Sequence, residues 1–236
     1  MKQVLGTVLV LAAGTAFAQY DAEDGYVRMK QSDRYYGTTS TSWNQVGNWD
    51  LAEFTAATNY YVPAGMYLWA GNAAGDWKGG PIVFAGQLLA RNSSGGLPNL
   101  PKIDDATFLG GSEIFEIMNT GGLRDSNAKI LAPKDNPFLV RSASAGATYS
   151  GTLYFPGTVF SGDAETGVRL YVQTSYNAGK FYLDACNFAG YLGTVTADGS
   201  DVTVVPRGES GGLAFGGAFV VNGATVNAAV SAADWT

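Results

Sequence analysis

From Tyr60 onward the chain is written in short apolar runs with polar residues set between them. Val168-Arg169-Leu170-Tyr171-Val172-Gln173 shows the pattern at its cleanest, with an apolar residue at every second place. A period of two predicts strands with one face buried. Strands are predicted over Tyr60–Val62, Met66–Trp69, Ile82–Phe84, Gln87–Arg91, Glu113–Met118 and Phe138–Arg141. Six more follow over Gly151–Phe155, Val168–Gln173, Lys180–Ala185, Tyr191–Thr196, Val202–Val205 and Ala218–Val221. Gly-Gly, Asp-Gly, Gly-Asp and Asn-Ser-Ser-Gly-Gly steps separate them and supply the φ angles of tight turns. One helix is predicted, over Asp50–Thr58, with Asp50 as cap, Glu53 three residues on, and Leu51 and Phe54 sharing a face. Many short strands at near-regular spacing define an all-β protein: a solenoid, a sandwich or a barrel.

The first eighteen residues follow a different pattern. Lys2 precedes an apolar run over Val4–Ala13, and Ala16-Phe17-Ala18 offers small residues before Gln19. This is the three-part form of a secretory signal peptide, cleaved between Ala18 and Gln19. The run is too short for a retained bilayer span, so the mature chain is expected to have no membrane span. The expected organisation is a signal peptide over 1–18, a polar segment and aromatic cap over 19–59, and a solenoid-like domain over 60–236. An aromatic-dense stretch overlaps the expected cap and runs past it: four of the five tryptophans lie between positions 43 and 77.

Composition narrows the chemistry. Cleavage would leave 218 of 236 residues, enough to bury a core without covalent staples. Cys186 is the lone cysteine, so no intrachain disulfide can form, and a small buried residue is the expected role. No histidine occurs, which removes Ser-His-Asp and Cys-His catalysis and histidine metal sites. Charge is sparse, 14 basic against 20 acidic residues, with no basic run. Nucleic-acid and anionic-membrane binding are therefore not expected.

Three stretches echo one another: Tyr149–Phe155, Asn187–Thr196 followed by Asp198-Gly199 and Val202–Val205, and Phe215–Val221 followed by Asn222-Gly223. The Asn187-Phe188-Ala189-Gly190-x-x-Gly193-Thr194-Val195-Thr196 stretch resembles the strand repeats of bacterial autotransporter passenger domains. Ser42–Asp50 followed by Tyr61-Val62-Pro63-Ala64-Gly65 resembles the opening of such chains. The resemblance is close over 43–69, loose over 149–230 and one of style over 70–148. It implies a right-handed parallel β-helix with an aromatic-rich N-terminal cap, export, and a role in adhesion or surface coating. It carries over no catalytic residue. The chain lacks the long series of about ten-residue amphipathic strands that would close a membrane barrel, so it reads as a short secreted relative or as a solenoid truncated at its C-terminal end. A β-sandwich or jelly roll is the alternative architecture.

Several side chains are candidates for function. Trp69, Trp77 and Tyr67, with Trp43, Trp49, Tyr60 and Tyr61 nearby, would form a platform for sugar rings or would instead fill the end of the solenoid. Asp21, Glu23 and Asp24, or Asp104 and Asp105, have the oxygen chemistry of calcium ligands, but their spacing fits no known loop and solvated turns are expected. Glu113 with Glu116, and Asp163 with Glu165, are the carboxylate pairs a glycosidase would need. Three residues apart in a strand, Glu113 and Glu116 would face opposite ways, and Gly162–Gly167 reads as a turn. Arg169 and Tyr171 share the polar face of a strand, where a β-helical lyase would place a base. Asn92-Ser93-Ser94 fits a glycosylation acceptor, incidental in a bacterial protein. The expected role is a non-enzymatic exported surface or matrix protein, without cofactor or metal, whose partners are glycans or host and matrix proteins. A secreted carbohydrate-binding module using the aromatic cluster 43–77, or a β-helical carbohydrate-active enzyme, are the alternatives.

Overall fold

The computed structural model describes residues 25–32, 43–44, 46–49, 51–71, 75–91, 102–116, 120–142, 152–155, 157–172, 179–184, 190–200, 202–207 and 216–226. Ala16, Ala18, Gln19, Asp21, Glu23, Asp24, Asn92 and Cys186 lie outside these residues. Within them, strands β1 to β20 follow in chain order. One sheet of six joins β1 (Tyr26–Arg28), β2 (Asn59–Val62), β4 (Ile82–Phe84), β7 (Ala106–Phe108), β11 (Ala128–Ile130) and β14 (Phe160–Ser161). A sheet of seven joins β3 (Tyr67–Gly71), β5 (Gln87–Arg91), β8 (Glu113–Glu116), β12 (Phe138–Ser142), β15 (Gly167–Val172), β17 (Thr194–Asp198) and β19 (Ala218–Asn222). A third, of five, joins β9 (Thr120–Gly122), β13 (Thr152–Tyr154), β16 (Gly179–Asp184), β18 (Val202–Arg207) and β20 (Thr225–Val226). β6 (Lys102–Ile103) and β10 (Arg124–Asp125) pair at a corner.

Every strand pairing among the described residues is parallel. Partners in the seven-stranded sheet lie 20 residues apart (Tyr67 and Gln87) to 30 apart (Leu139 and Arg169). That separation is one full circuit of the chain, which passes from sheet to sheet and returns one strand further along. The protein is a parallel β-solenoid. The sandwich alternative is excluded, because it needs antiparallel ladders closed by short hairpins.

Alternation in each strand selects what enters the lumen. In the seven-stranded sheet Leu68, Leu88, Ile114, Val140, Leu170 and Ala197 stack in register and are all buried. Each large member contributes about 1.5–3 kcal/mol by leaving water. In the six-stranded sheet Phe84 lies over Phe108 at 5.3 Å, and Phe108 lies over Phe138 from the facing sheet at 4.2 Å. At the β19 end the next residue in the first file, Val221, is 47% exposed.

The other end is filled. Trp43, Trp49 and Tyr60 are buried, and Phe54 and Trp77 pack against them. Trp77 stands 4.9 Å from Phe54, 5.2 Å from Tyr60 and 5.8 Å from Trp49, mostly edge to face or tilted. This aromatic cluster draws in Tyr60 and Trp77 from beyond the cap expected over 19–59. The expected helix over Asp50–Thr58 does not form: Leu51–Thr58 is irregular, and the helical turn here is a 3-10 turn over Val46–Asn48. A helix that short gains little from its own hydrogen bonds. Tertiary bonds take its backbone instead, since Tyr60 Oη accepts from Thr55 N and Gly80 N donates to Thr55 O.

Corners between sheets are tight. A Cβ on Gly193 would overlap Thr166 O, Thr166 Oγ1 and Tyr191 Oη, because the chain there crosses close above the preceding rung. Asp198-Gly199 is the predicted turn, with Gly199 at φ +107°.

Candidate functional site

Residues that alternation turns outward in the seven-stranded sheet form two adjacent files. One runs Tyr67, Gln87, Glu113, Leu139, Arg169, Thr196; the other runs Trp69, Leu89, Phe115, Arg141, Tyr171, Asp198. Directly opposed and diagonal neighbours in such a sheet are within side-chain reach. A network grows from this register. Glu113 Oε1 accepts from Arg141 Nε at 2.6 Å and from the Tyr171 hydroxyl at 2.8 Å. Glu113 Oε2 accepts from Gln87 Nε2 at 2.7 Å and from Arg141 Nη2 at 3.1 Å. Four donors from three other strands therefore converge on one carboxylate, about its full acceptor capacity. Glu113 is only 4% exposed although it faces away from the lumen. The Arg141 guanidinium also lies 4.6 Å above the Phe115 ring.

Beside this network Arg169 pairs with Asp198, its Nε donating to Oδ2 at 2.7 Å, and lies 5.1 Å above the Tyr171 ring. The face thus carries two closed charge pairs. Burial, with the Glu113 charge and hydrogen bond behind it, pushes the Tyr171 phenol up to about 12. Burial works against the charge on Arg141, but the Glu113 contacts outweigh it and raise its pKa. A phenol so raised is a poor base at neutral pH, and a carboxylate holding four donors is a poor nucleophile. The arrangement is suited to holding a ligand. A shallow pocket of about 370 Å³ opens over it, lined by Gln87, Gly111, Glu113, Leu139, Arg141 and Tyr171.

The aromatic candidates are divided by the fold. Trp77 joins the cap with Trp43 and Trp49, and its Nε1 donates to Gly80 O at 2.8 Å. Tyr67 and Trp69 share the outward face of β3, apart from that cluster. Tyr61 faces outward from the six-stranded sheet and is buried with Val83, Ala85 and Leu109.

The carboxylate pairs separate too. Glu113 belongs to the network, and Glu116 ends β8. Asp163 Oδ1 accepts from Glu165 N at 2.9 Å within the predicted turn. Asp104 pairs with Lys102 at 2.8 Å, and that contact together with Ser126 lowers its pKa against burial. Asp105 pairs with Lys129 at 2.8 Å. Among the described residues no group of three acidic or thiol side chains is placed to hold a metal ion.

Sequence reasoning singled out Arg169 and Tyr171 but missed Arg141 and Gln87, since only the parallel register brings them to Glu113. It also missed Asp125, buried at a corner, where its carboxylate accepts from Ala106 N at 2.9 Å and Asn127 N at 2.8 Å. Burial pushes its pKa up to about 7 against those two bonds, with Asp105 and Asp104 adding to the rise. No protein family, curated protein or solved structure matches the chain.

Proposed function

We propose that this is an exported, non-enzymatic bacterial surface or matrix protein whose solenoid acts as a rigid adhesive or structural element. The observation that supports the reading best is the outward face of the seven-stranded sheet. There Gln87, Glu113, Arg141, Tyr171, Arg169 and Asp198 hold one another across successive rungs. Such a face is preorganised for recognition, and its acids and bases are already paired. The signal-like first eighteen residues and the similarity to passenger repeats favour export.

The reading is tested by expressing the chain with and without residues 1–18 and probing intact cells with antibody and external protease. The full chain should be reached by both, and the shortened one by neither. Retention of the full chain in the cytoplasm would overturn the proposal. Turnover of any neutral or uronic-acid polysaccharide by the purified protein would overturn its non-enzymatic part.

A further inference from the structure

We propose that the pocket over Glu113 is a binding site for a neutral sugar residue of a glycan. The inference rests on the adhesive reading above and gives that surface a ligand class.

The site is built before any ligand arrives. Its floor is a buried carboxylate whose hydrogen bonds fix Arg141, Tyr171 and Gln87, each from a different strand. Removing a carboxylate and a guanidinium from water is unfavourable for each ion. The lumen is already closed by apolar files, so packing alone does not require such a pair on the outward face. What the pair supplies is a set of polar side chains held in fixed positions around a concave space.

The chemistry of the walls selects the class. Glu113 cancels Arg141 and Asp198 cancels Arg169, so the face offers no net charge to attract an anion or a cation. It offers the amide of Gln87 and the phenol of Tyr171, groups that exchange hydrogen bonds with hydroxyls. Leu139 supplies an apolar patch between Glu113 and Arg169 in the same file. Gly111, at φ +73°, leaves one wall without a side chain. A sugar ring has this combination of hydroxyl edge and apolar C–H face. The volume, about 370 Å³, lies near the small end of ligand pockets. The space is shallow and open, which admits one residue of a longer chain.

The test uses the full purified protein and calorimetry against cello-, xylo-, malto- and chito-hexaose, with oligogalacturonate and oligoalginate as acidic probes. At least one neutral hexaose should bind, and the acidic ones should not compete. Leu139→Trp removes none of the Glu113 donors, fills the pocket and should weaken binding tenfold or more. Tyr171→Phe should weaken it several-fold. Val220→Ser, in the same file at the far end, should leave it unchanged. Thermal melts confirm that each variant is folded. The site is overturned if all neutral hexaoses are silent, if acidic ones bind more tightly, or if both pocket variants bind like the parent. Surface exposure with no sugar binding overturns the pocket alone. Sugar binding by a protein retained in the cytoplasm overturns the surface role alone.

Discussion

The Tyr171 hydroxyl donates to Glu113 Oε1 at 2.8 Å, although β15 and β8 are not neighbours, because β12 lies between them. Adjacent strands are about 4.8 Å apart, so this one bond reaches across two spacings. Arg141, on the strand between, holds the same carboxylate. The three strands are thereby fixed in register on their outer face as well as through the lumen.

Glu113→Gln should lower stability by about 2–4 kcal/mol. It leaves the Arg141 charge, 14% exposed, without its counter-ion. Urea denaturation checks this. A Glu113→Gln loss that Arg141→Met fully reverses would show that the unpaired guanidinium is the cause. The Tyr171 phenol should resist ionisation until about pH 12, which its ultraviolet absorbance would report against Tyr171→Phe.

Asp125 makes stability pH-dependent. Its folded pKa of about 7 lies above the ordinary 3.8, so the folded state favours the protonated acid. That contribution is full below about pH 4 and is lost as pH rises through 7. Each tenfold gain in proton affinity is worth about 1.4 kcal/mol, so the whole contribution is a few kcal/mol. Asp125→Asn keeps an oxygen for Ala106 N and should flatten the curve. Its stability relative to the parent should climb between pH 4 and pH 8, and an unchanging difference would refute the assignment.

Gly193→Ala should cost about 1–3 kcal/mol, because the added carbon meets Thr166 O, Thr166 Oγ1 and Tyr191 Oη. At Gly190 the nearest atom to an added Cβ is Phe160 O at 3.6 Å, an ordinary contact. Gly190→Ala should therefore be close to neutral. Equal melting temperatures for the two variants would contradict the close crossing at Gly193.

The cap tryptophans should differ. Trp43 Nε1 donates to Gly75 O at 3.0 Å, whereas Trp49 Nε1 is buried with no hydrogen-bond partner. Both changes to Phe remove similar volume, but only Trp43→Phe breaks a bond. Trp43→Phe should cost about 1 kcal/mol more than Trp49→Phe in denaturant titrations.

The strands were legible where alternation was clean or an apolar run was unbroken. Ile82–Phe84 and Gln87–Arg91 fall where the pattern put them, and Phe138–Arg141 and Val168–Gln173 differ by a residue at their ends. Short elements such as Ala106–Phe108, Ala128–Ile130 and Phe160–Ser161 were not, because they are too short to display a period and, unlike Ile82-Val83-Phe84, carry a polar residue that breaks the apolar run. The sequence echoes were half informative. Thr194–Asp198 and Ala218–Asn222 are stacked neighbours, but Thr152–Tyr154, within the first echo, belongs to another sheet. The pocket was illegible in principle: Gln87, Glu113, Arg141 and Tyr171 are 26 to 30 residues apart in succession, and a spacing that varies leaves no motif.

The circuit length has a mechanical consequence. Glu113 and Leu139 are adjacent along the axis, about 4.8 Å apart, yet 26 residues separate them along the chain. Drawn straight, those residues span about 90 Å. A load applied at the β19 end meets the ladder bonds of one rung at a time. Each rung that yields lengthens the tether almost twentyfold over the height it occupied, so tension drops before the next rung is tried. Pulled from that end, the molecule should extend in steps, with the aromatic cluster the last to give.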